Sequence, residues 1–482
     1  MLFNSFEFAI FFPIVTFLFF MLPHRFRWLL LLSASCFFYM FFKPEYILIL
    51  FFTIIIDYIA GIYIGKTQEK RKRRVFLIIS IIANLGVLAF FKYFNFLTFN
   101  FNQIFIAIGT DWNIKLLEIV LPIGLSFHTF QAMSYTIEVY RGKQQPEKHF
   151  GIYALYVMFY PQLVAGPIER PQNLLFQFRT RFSFDYERVV NGFRQILWGL
   201  FKKMVVADNL SFYSDAVFNA PGMYSGNANI LAMYFFAIQI YCDFSGYSDI
   251  ALGTARVMGF KLMDNFRCPY LSKSISEFWA RWHISLSTWF KDYLYIPIGG
   301  NRVSALRNSV NLMIVFLVSG IWHGANWTFV VWGGLHGIYL IVGKLISNIA
   351  QRFRKKVENG WFIQIKSLFQ VLLTFHLAAI AFVFFRAKSI SDGVFMLKKM
   401  ITENSISSLG IMINDFSYFK FAICMFGIIF LFIAEKMIPD GRIDLFLSKQ
   451  KKTYRWTLYL FLIFIIFAFG NFNNEQFIYF QF

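Results

Sequence analysis

Apolar runs long enough to cross a bilayer recur along almost the whole chain, and no other feature limits its fold so strongly. A crossing takes about 20 mainly apolar residues. Residues 6–22, 28–42, 46–65, 75–98, 119–140, 188–207, 227–242, 309–333, 363–386, 416–435 and 455–470 meet that need, and 150–166 and 334–349 come close. The expected fold class is therefore all-α: a polytopic integral membrane protein of about 10–12 transmembrane helices with interfacial helices besides. Composition agrees. Hydrophobic residues make up 58% of the 482 and charged ones only 15%, against about 25% in an ordinary soluble protein. This excludes a disordered chain, a disulfide scaffold and a typical cytosolic enzyme. The first run, Phe6–Leu22, has neither a basic leader nor a small-residue cleavage site, so it reads as a retained span.

The net charge is +20, with 46 Lys and Arg against 26 Asp and Glu. The bases sit in short loops between apolar runs, the pattern by which membrane proteins orient against anionic lipid, so no nucleic-acid partner is implied. Lys66–Arg74 (KTQEKRKRR) is the strongest cluster and is placed in the cytoplasm. Counting spans back puts the N-terminus outside and His24–Arg27 inside. Counting forward puts Arg141–Lys148 inside, and Arg352–Lys356 is a further inside candidate. No repeat or Pro/Ser-rich linker divides the chain, so residues 1–482 are treated as one domain. Cys36, Cys242, Cys268 and Cys424 form no CxxC and imply neither a metal site nor a disulfide framework.

Ionisable groups at membrane depth are costly and mark function or a protein-lined cavity by default. They concentrate in two segments. In Ser276–Gly300, a helical wheel gathers Trp279, Trp282, Leu286, Trp289, Phe290 and Tyr293 into a stripe about 100° wide. Glu277 and Arg281 form an i,i+4 pair on the opposite face. His283 borders the stripe, with Ser287 one turn on. The segment reads as an amphipathic helix at the interface or inside a bundle, and an aromatic belt with a hydrogen-bonded histidine accounts for it as well. In Val310–Gly337, Ser319, His323 and Asn326 fall within about 60° of one another on a continuous helix. Gly320 and Gly324 would let a second helix approach closely. A buried reaction or relay site fits this strip, and so does a structural histidine. His336 lies about 140° further round the wheel and is assigned to another surface. Asp243 and Asp249, in YCDFSGYSD, close an apolar run as caps, loop acids or pocket lining.

Leu163–Pro167 (LVAGP), Tyr241–Asp249 (YCDFSGYSD), Phe278–Gly300 (FWARWHISLSTWFKDYLYIPIGG) and Ser319–Gly337 (SGIWHGANWTFVVWGGLHG) together resemble the membrane-bound O-acyltransferase (MBOAT) family. Within it they look most similar to the branch that acetylates alginate and peptidoglycan, and less so to the enzymes that D-alanylate teichoic acid. The resemblance implies the MBOAT fold, with 240–337 as the catalytic region. It carries the family's invariant histidine onto His323, and its second polar position, about 40 residues earlier, onto His283.

Acyl transfer to a hydroxyl needs a base near that hydroxyl and stabilisation of the oxyanion. His323 is the expected general base and His283 the second catalytic group, with Asn326, Ser319, Trp282, Ser287 and Asp243 as binding residues. No metal and no permanently bound cofactor is expected. The resemblance implies acetyl-CoA or another acyl thioester, free or on a carrier protein, as cytoplasmic donor. It also implies an extracytoplasmic polysaccharide as acceptor, a periplasmic SGNH-type acetyltransferase as partner, and residence in the bacterial inner membrane, in keeping with cell-envelope chemistry such as alginate biosynthesis. A teichoic-acid or lipid O-acyltransferase is the neighbouring alternative. A transporter or channel is the alternative of another class; it would spread its polar residues along a pathway through several spans.

Overall fold

Apolar runs become helices because a helix meets its backbone hydrogen bonds within itself. The computed structural model describes residues 1–352, 360–403, 417–472 and 477–478, and among these it holds helices and no strand. The chain falls into two compact units, Met1–Ile196 with Ile250–Met263, and Leu197–Asp249 with Asp264–Phe482.

The first unit contains α1 (Phe6–Met21), α2 (His24–Met40), α3 (Tyr46–Lys66), α4 (Lys70–Ala107, with a π turn at Ala89–Tyr93), α5 (Leu125–Tyr140), α6 (Phe150–Met158) and most of α7 (Tyr186–Leu200). A buried carboxylate joins three of them. Asp57 of α3 accepts hydrogen bonds from Ser80 Oγ at 2.5 Å and Asn84 Nδ2 at 2.8 Å, both on α4, and Ser80 Oγ lies 3.0 Å from Thr136 Oγ1 of α5. These donors offset the cost of a carboxylate at membrane depth.

The second unit contains a π segment (Phe201–Ala207), α8 (Asp208–Asn219), most of α9 (Gly226–Met258), α10 (Ile275–Arg281), α11 (Ile284–Phe290), α12 (Ala305–His323), α13 (Trp327–Arg352), α14 (Gly360–Arg386), α15 (Ile390–Thr402), α16 (Tyr418–Met437) and α17 (Lys452–Phe469). Of the basic segment Arg352–Lys356, residues 353–356 lie outside the described residues.

Among the described residues eight helices are long and apolar enough to cross a membrane: α3, α4, α9, α12, α13 as far as Ile349, α14, α16 and α17; α1 is apolar but shorter. The expected 119–140 span is helical only over α5, whose residues are nearly all buried in protein. There His128 Nε2 meets Thr53 Oγ1 at 2.6 Å. The expected 188–207 span divides into α7 and the π segment, where Lys203 pairs with Asp208 at 2.8 Å and Asp243 at 2.7 Å. Polar groups inside these runs find partners in protein, so the runs serve as core and not as lipid-facing spans.

The expected 309–333 span is two helices. α12 ends at His323, Gly324 caps it in an extended conformation, and α13 starts at Trp327. Gly320 does allow close helix approach, with Gly333 as its counterpart. A Cβ on Gly320 would lie 2.3 Å from Phe329 O, and one on Gly333 would lie 2.3 Å from Phe316 O. Gly324 instead seats the Phe329 ring, which a Cβ there would meet at 2.0 Å. Gly320→Leu is therefore expected to force α12 and α13 apart and deplete monodisperse protein in detergent, read by size-exclusion chromatography of a fluorescent fusion. A wild-type elution profile would show that the contact is dispensable.

Candidate active site

His283 occupies a helix break. The expected amphipathic helix over 276–300 is instead α10 and α11 followed by a π segment at Lys291–Tyr295, and His283 separates the first two in a left-handed conformation, φ 44° and ψ 54°. That region is uncommon for a residue with a Cβ and persists where surroundings enforce it. Here Asn265 does so. Its carbonyl accepts from Ile284 N at 2.9 Å. Its Oδ1 accepts from Ser285 N at 3.3 Å and from Ser285 Oγ at 2.9 Å. The first donors of α11 are thus capped from a distant part of the chain. The i,i+4 pair expected on α10 is present, with Arg281 2.6 Å from Glu277.

The same Asn265 oxygen lies 3.0 Å from His283 Nδ1. The Ser285 backbone donor marks that atom as an acceptor, so Nδ1 must carry the proton and Nε2 the lone pair. Burial pushes the His283 imidazole down to about 3, so it is neutral over the working pH range.

His323 is the last residue of α12 and is buried. The structure therefore corrects the continuous polar strip of Ser319, His323 and Asn326, because the helix stops at Gly324. Asn326 belongs to the connecting turn, where Nδ2 donates to Lys388 O at 3.1 Å and Oδ1 accepts from Thr328 N at 3.0 Å. It shapes the turn beside His323. One indole stands near both catalytic candidates: Trp322 lies 4.9 Å from His323 and 6.4 Å from His283 between ring centroids. Trp282 is fully buried against Phe266, Phe278 and Phe382.

Ser319 and Ser287 share a half-open cavity of about 210 Å³ with Ser276, Trp279, Lys291 and Tyr295, lined also by apolar side chains of α11, α12 and α13. Asp243 is committed elsewhere. Oδ1 pairs with Lys203 and Oδ2 accepts from Ile478 N at 2.7 Å, so its carboxylate works as a structural tie. Next to it, Lys202 pairs with Asp249 at 2.5 Å and donates to Ser245 Oγ at 2.9 Å. His336 is not on another surface. It is buried beside Trp279 and Trp332, and Trp332 in turn packs on His323 at 4.9 Å. Sequence reasoning misses Asn265 and Trp332 and sets His336 on another surface. Only the i,i+4 spacing of the last two was visible in the chain.

The model for MBOAT, the membrane-bound O-acyltransferase family, matches residues 149–384. The chain is 37% identical over 408 residues to a peptidoglycan O-acetyltransferase of Helicobacter pylori, a match covering 79% of this chain and 74% of the relative. It is 38% identical over 405 residues to a Pseudomonas aeruginosa protein named "Probable alginate O-acetylase AlgI", covering 83% and 75%. The chain belongs to the MBOAT family. It is an O-acyltransferase of the membrane, similar to relatives named for alginate and peptidoglycan O-acetylation. A teichoic acid D-alanyltransferase of Bacillus subtilis is similar at 25% identity over 281 residues, 55% of this chain and 69% of the relative.

Because His283 is already neutral, it contributes no titration near neutral pH. His283→Asn is expected to lower turnover while leaving the midpoint of any acid limb in the pH–rate profile where it was. Asn265→Ala, which releases the imidazole, is expected to lower kcat by about 10- to 100-fold, as loss of an outer-shell orienting group does. A displaced acid limb in His283→Asn, or wild-type kcat in Asn265→Ala, would contradict this assignment.

Proposed function

We propose that the chain moves an acyl group, acetyl before any other, from a cytoplasmic thioester towards hydroxyls of an extracytoplasmic polysaccharide, with His323 as general base and 240–337 as the catalytic region. The donor is acetyl-CoA or an acyl carrier protein thioester, and no permanently bound cofactor takes part. The observation that carries this reading is His323 buried at the end of α12, one turn from Ser319 on the cavity wall, with the Trp322 ring near both His323 and His283. The stronger similarity to polysaccharide-acetylating relatives than to the teichoic acid D-alanyltransferase favours a polysaccharide acceptor.

The chemistry follows. A hydroxyl gives its proton to His323 as its oxygen bonds to the thioester carbonyl carbon. The carbonyl electrons move onto oxygen, then return as the C–S bond breaks. The sulfur leaves as a thiol, taking the proton back from His323. The cavity beside Ser319 and Ser287 suits the uncharged arm of a thioester, and Lys291 suits a phosphate at its edge. Asn326, Trp282 and Asp243 hold the surrounding framework. His323→Ala is expected to lower polymer O-acylation in cells by about 10²- to 10⁴-fold, the worth of a general base, with membrane expression intact. Acylation within a few-fold of wild type would remove His323 from the mechanism.

We also propose an inner-membrane location with the N-terminus outside, and delivery to polymer through a separate periplasmic SGNH-type acetyltransferase. The basic run that opens α4, Lys70–Arg74, supports the orientation. A cysteine placed at Thr67, in a chain whose native cysteines are replaced, is expected to resist an impermeant thiol reagent in whole cells and to react after lysis. Labelling of intact cells would invert the topology.

A further inference from the structure

Two buried donors on one face of α13 have no acceptor among the described residues. Trp279 Nε1 lies 3.3 Å from His336 Nδ1. An indole N–H can only donate, so Nδ1 accepts, and a histidine accepting there carries its proton on Nε2. That Nε2–H is fully buried and meets no acceptor among the described residues. One turn earlier, Trp332 Nε1–H is in the same position. The two rings lie 5.1 Å apart. Stable folds rarely leave buried N–H groups unmet, and each such group calls for an explanation. Around His336 stand the rings of Phe278, Phe316, Tyr339 and Phe382. A lone water in such surroundings would have few of the polar partners that hold one in place.

The two donors border the reaction. Trp332 stacks edge-on against His323, 4.9 Å away. His336 touches Trp279 and Phe316, which line the cavity next to Ser319. Acyl transfer at a thioester creates a negative oxygen that needs fixed N–H donors in a site closed to water. Neutral N–H groups suit that oxygen, since they stabilise it without offering it a proton.

We propose that Trp332 Nε1–H and His336 Nε2–H form the oxyanion hole, receiving the thioester carbonyl oxygen as the hydroxyl attacks. This rests on the acyl-transfer reading above and adds two catalytic residues to it. When the acceptor oxygen bonds to the carbonyl carbon, the carbonyl π electrons pass to this oxygen, and both N–H groups hold it. When the electrons return, the C–S bond breaks and the donors are released unchanged, so no proton passes through them.

The experiment follows thiol release from acetyl-CoA by the purified full-length chain in nanodiscs, with a soluble polysaccharide present as hydroxyl acceptor, for wild type, Trp332→Phe, His336→Phe, His336→Gln and His323→Ala. Both Phe variants should lower kcat by about 10²- to 10³-fold, the usual cost of one oxyanion donor, with KM within about three-fold of wild type. Glutamine can accept from Trp279 through its oxygen and donate through its nitrogen, so His336→Gln should recover a large part of the loss. Either Phe variant within three-fold of wild-type kcat overturns the proposal. So does equal loss in His336→Gln and His336→Phe when both melt at the wild-type temperature. If His336→Phe does not fold, Trp332→Phe and His336→Gln decide. Wild type inert towards both acetyl-CoA and an acetylated acyl carrier protein, or His323→Ala as active as wild type, would instead sink the acyl-transfer reading itself.

Discussion

A helix that stops inside protein leaves backbone groups that water cannot reach, and both candidate catalytic histidines stand at such stops. The constraint is strict in a membrane protein, where an unmet backbone group has no solvent to turn to. At His283 it is met by Asn265, whose carbonyl and side-chain oxygen both cap α11. Past His323, Gly324 N donates back to Gly320 O at 3.4 Å, and Asn326 Oδ1 caps the start of α13 through Thr328 N. The site therefore depends on how two broken helices are closed. Breaking them projects polar side chains into the interior without exposing backbone to lipid.

The close packing of α12 on α13 follows from the same arrangement. Gly320 and Gly333 let the helices approach until a Cβ on either would strike backbone. This brings His323 against Trp332 and places Trp332 and His336 behind it. Aromatic rings then pack around them: Trp279, Trp332, Phe385, Phe382 and Trp282 form a chain of ring contacts, and His323 joins Trp322 to it through Phe385. Large rigid rings exclude water with little loss of rotamer entropy, a useful property around the thioester proposed as donor, which water would hydrolyse.

Much of this was legible in the chain, because long apolar runs and clustered polar residues report environment directly. The spans at 46–65, 363–386, 416–435 and 455–470 appear as α3, α14, α16 and α17. The motifs of 240–337 were enough to suggest the family. What escaped was anything that depends on a helix being interrupted. A wheel drawn over 309–333 assumes that each residue advances the angle equally, so it joined Asn326 to His323 and sent His336 to another face. The break at Gly324 resets that angle. Asn265 escaped because its partners lie many residues away and it stands in no periodic pattern. Residues 188–207 looked like a span because Lys202 and Lys203 find their carboxylates only after folding, through Asp249 and Asp243. Charge that is neutralised in space cannot be recognised from a window along the sequence.

The two breaks also give the two imidazoles opposite electrostatic settings. His323 stands at the C-terminal end of α12, a helix of 19 residues whose last carbonyls carry partial negative charge. If His323 takes a proton as proposed, it becomes a cation, and the C-terminal end of a helix favours a cation. His283 stands instead at the N-terminal end of α11, where backbone N–H groups point outward and a cation is disfavoured. Its neighbour Asn265 accepts its one proton and offers no charge to hold a second. On the proposed mechanism, the histidine at the helix C-terminus takes the proton transiently, and the one at the helix N-terminus stays neutral and keeps its orientation. That division follows from chain direction alone: α12 runs into its break and α11 runs out of its own.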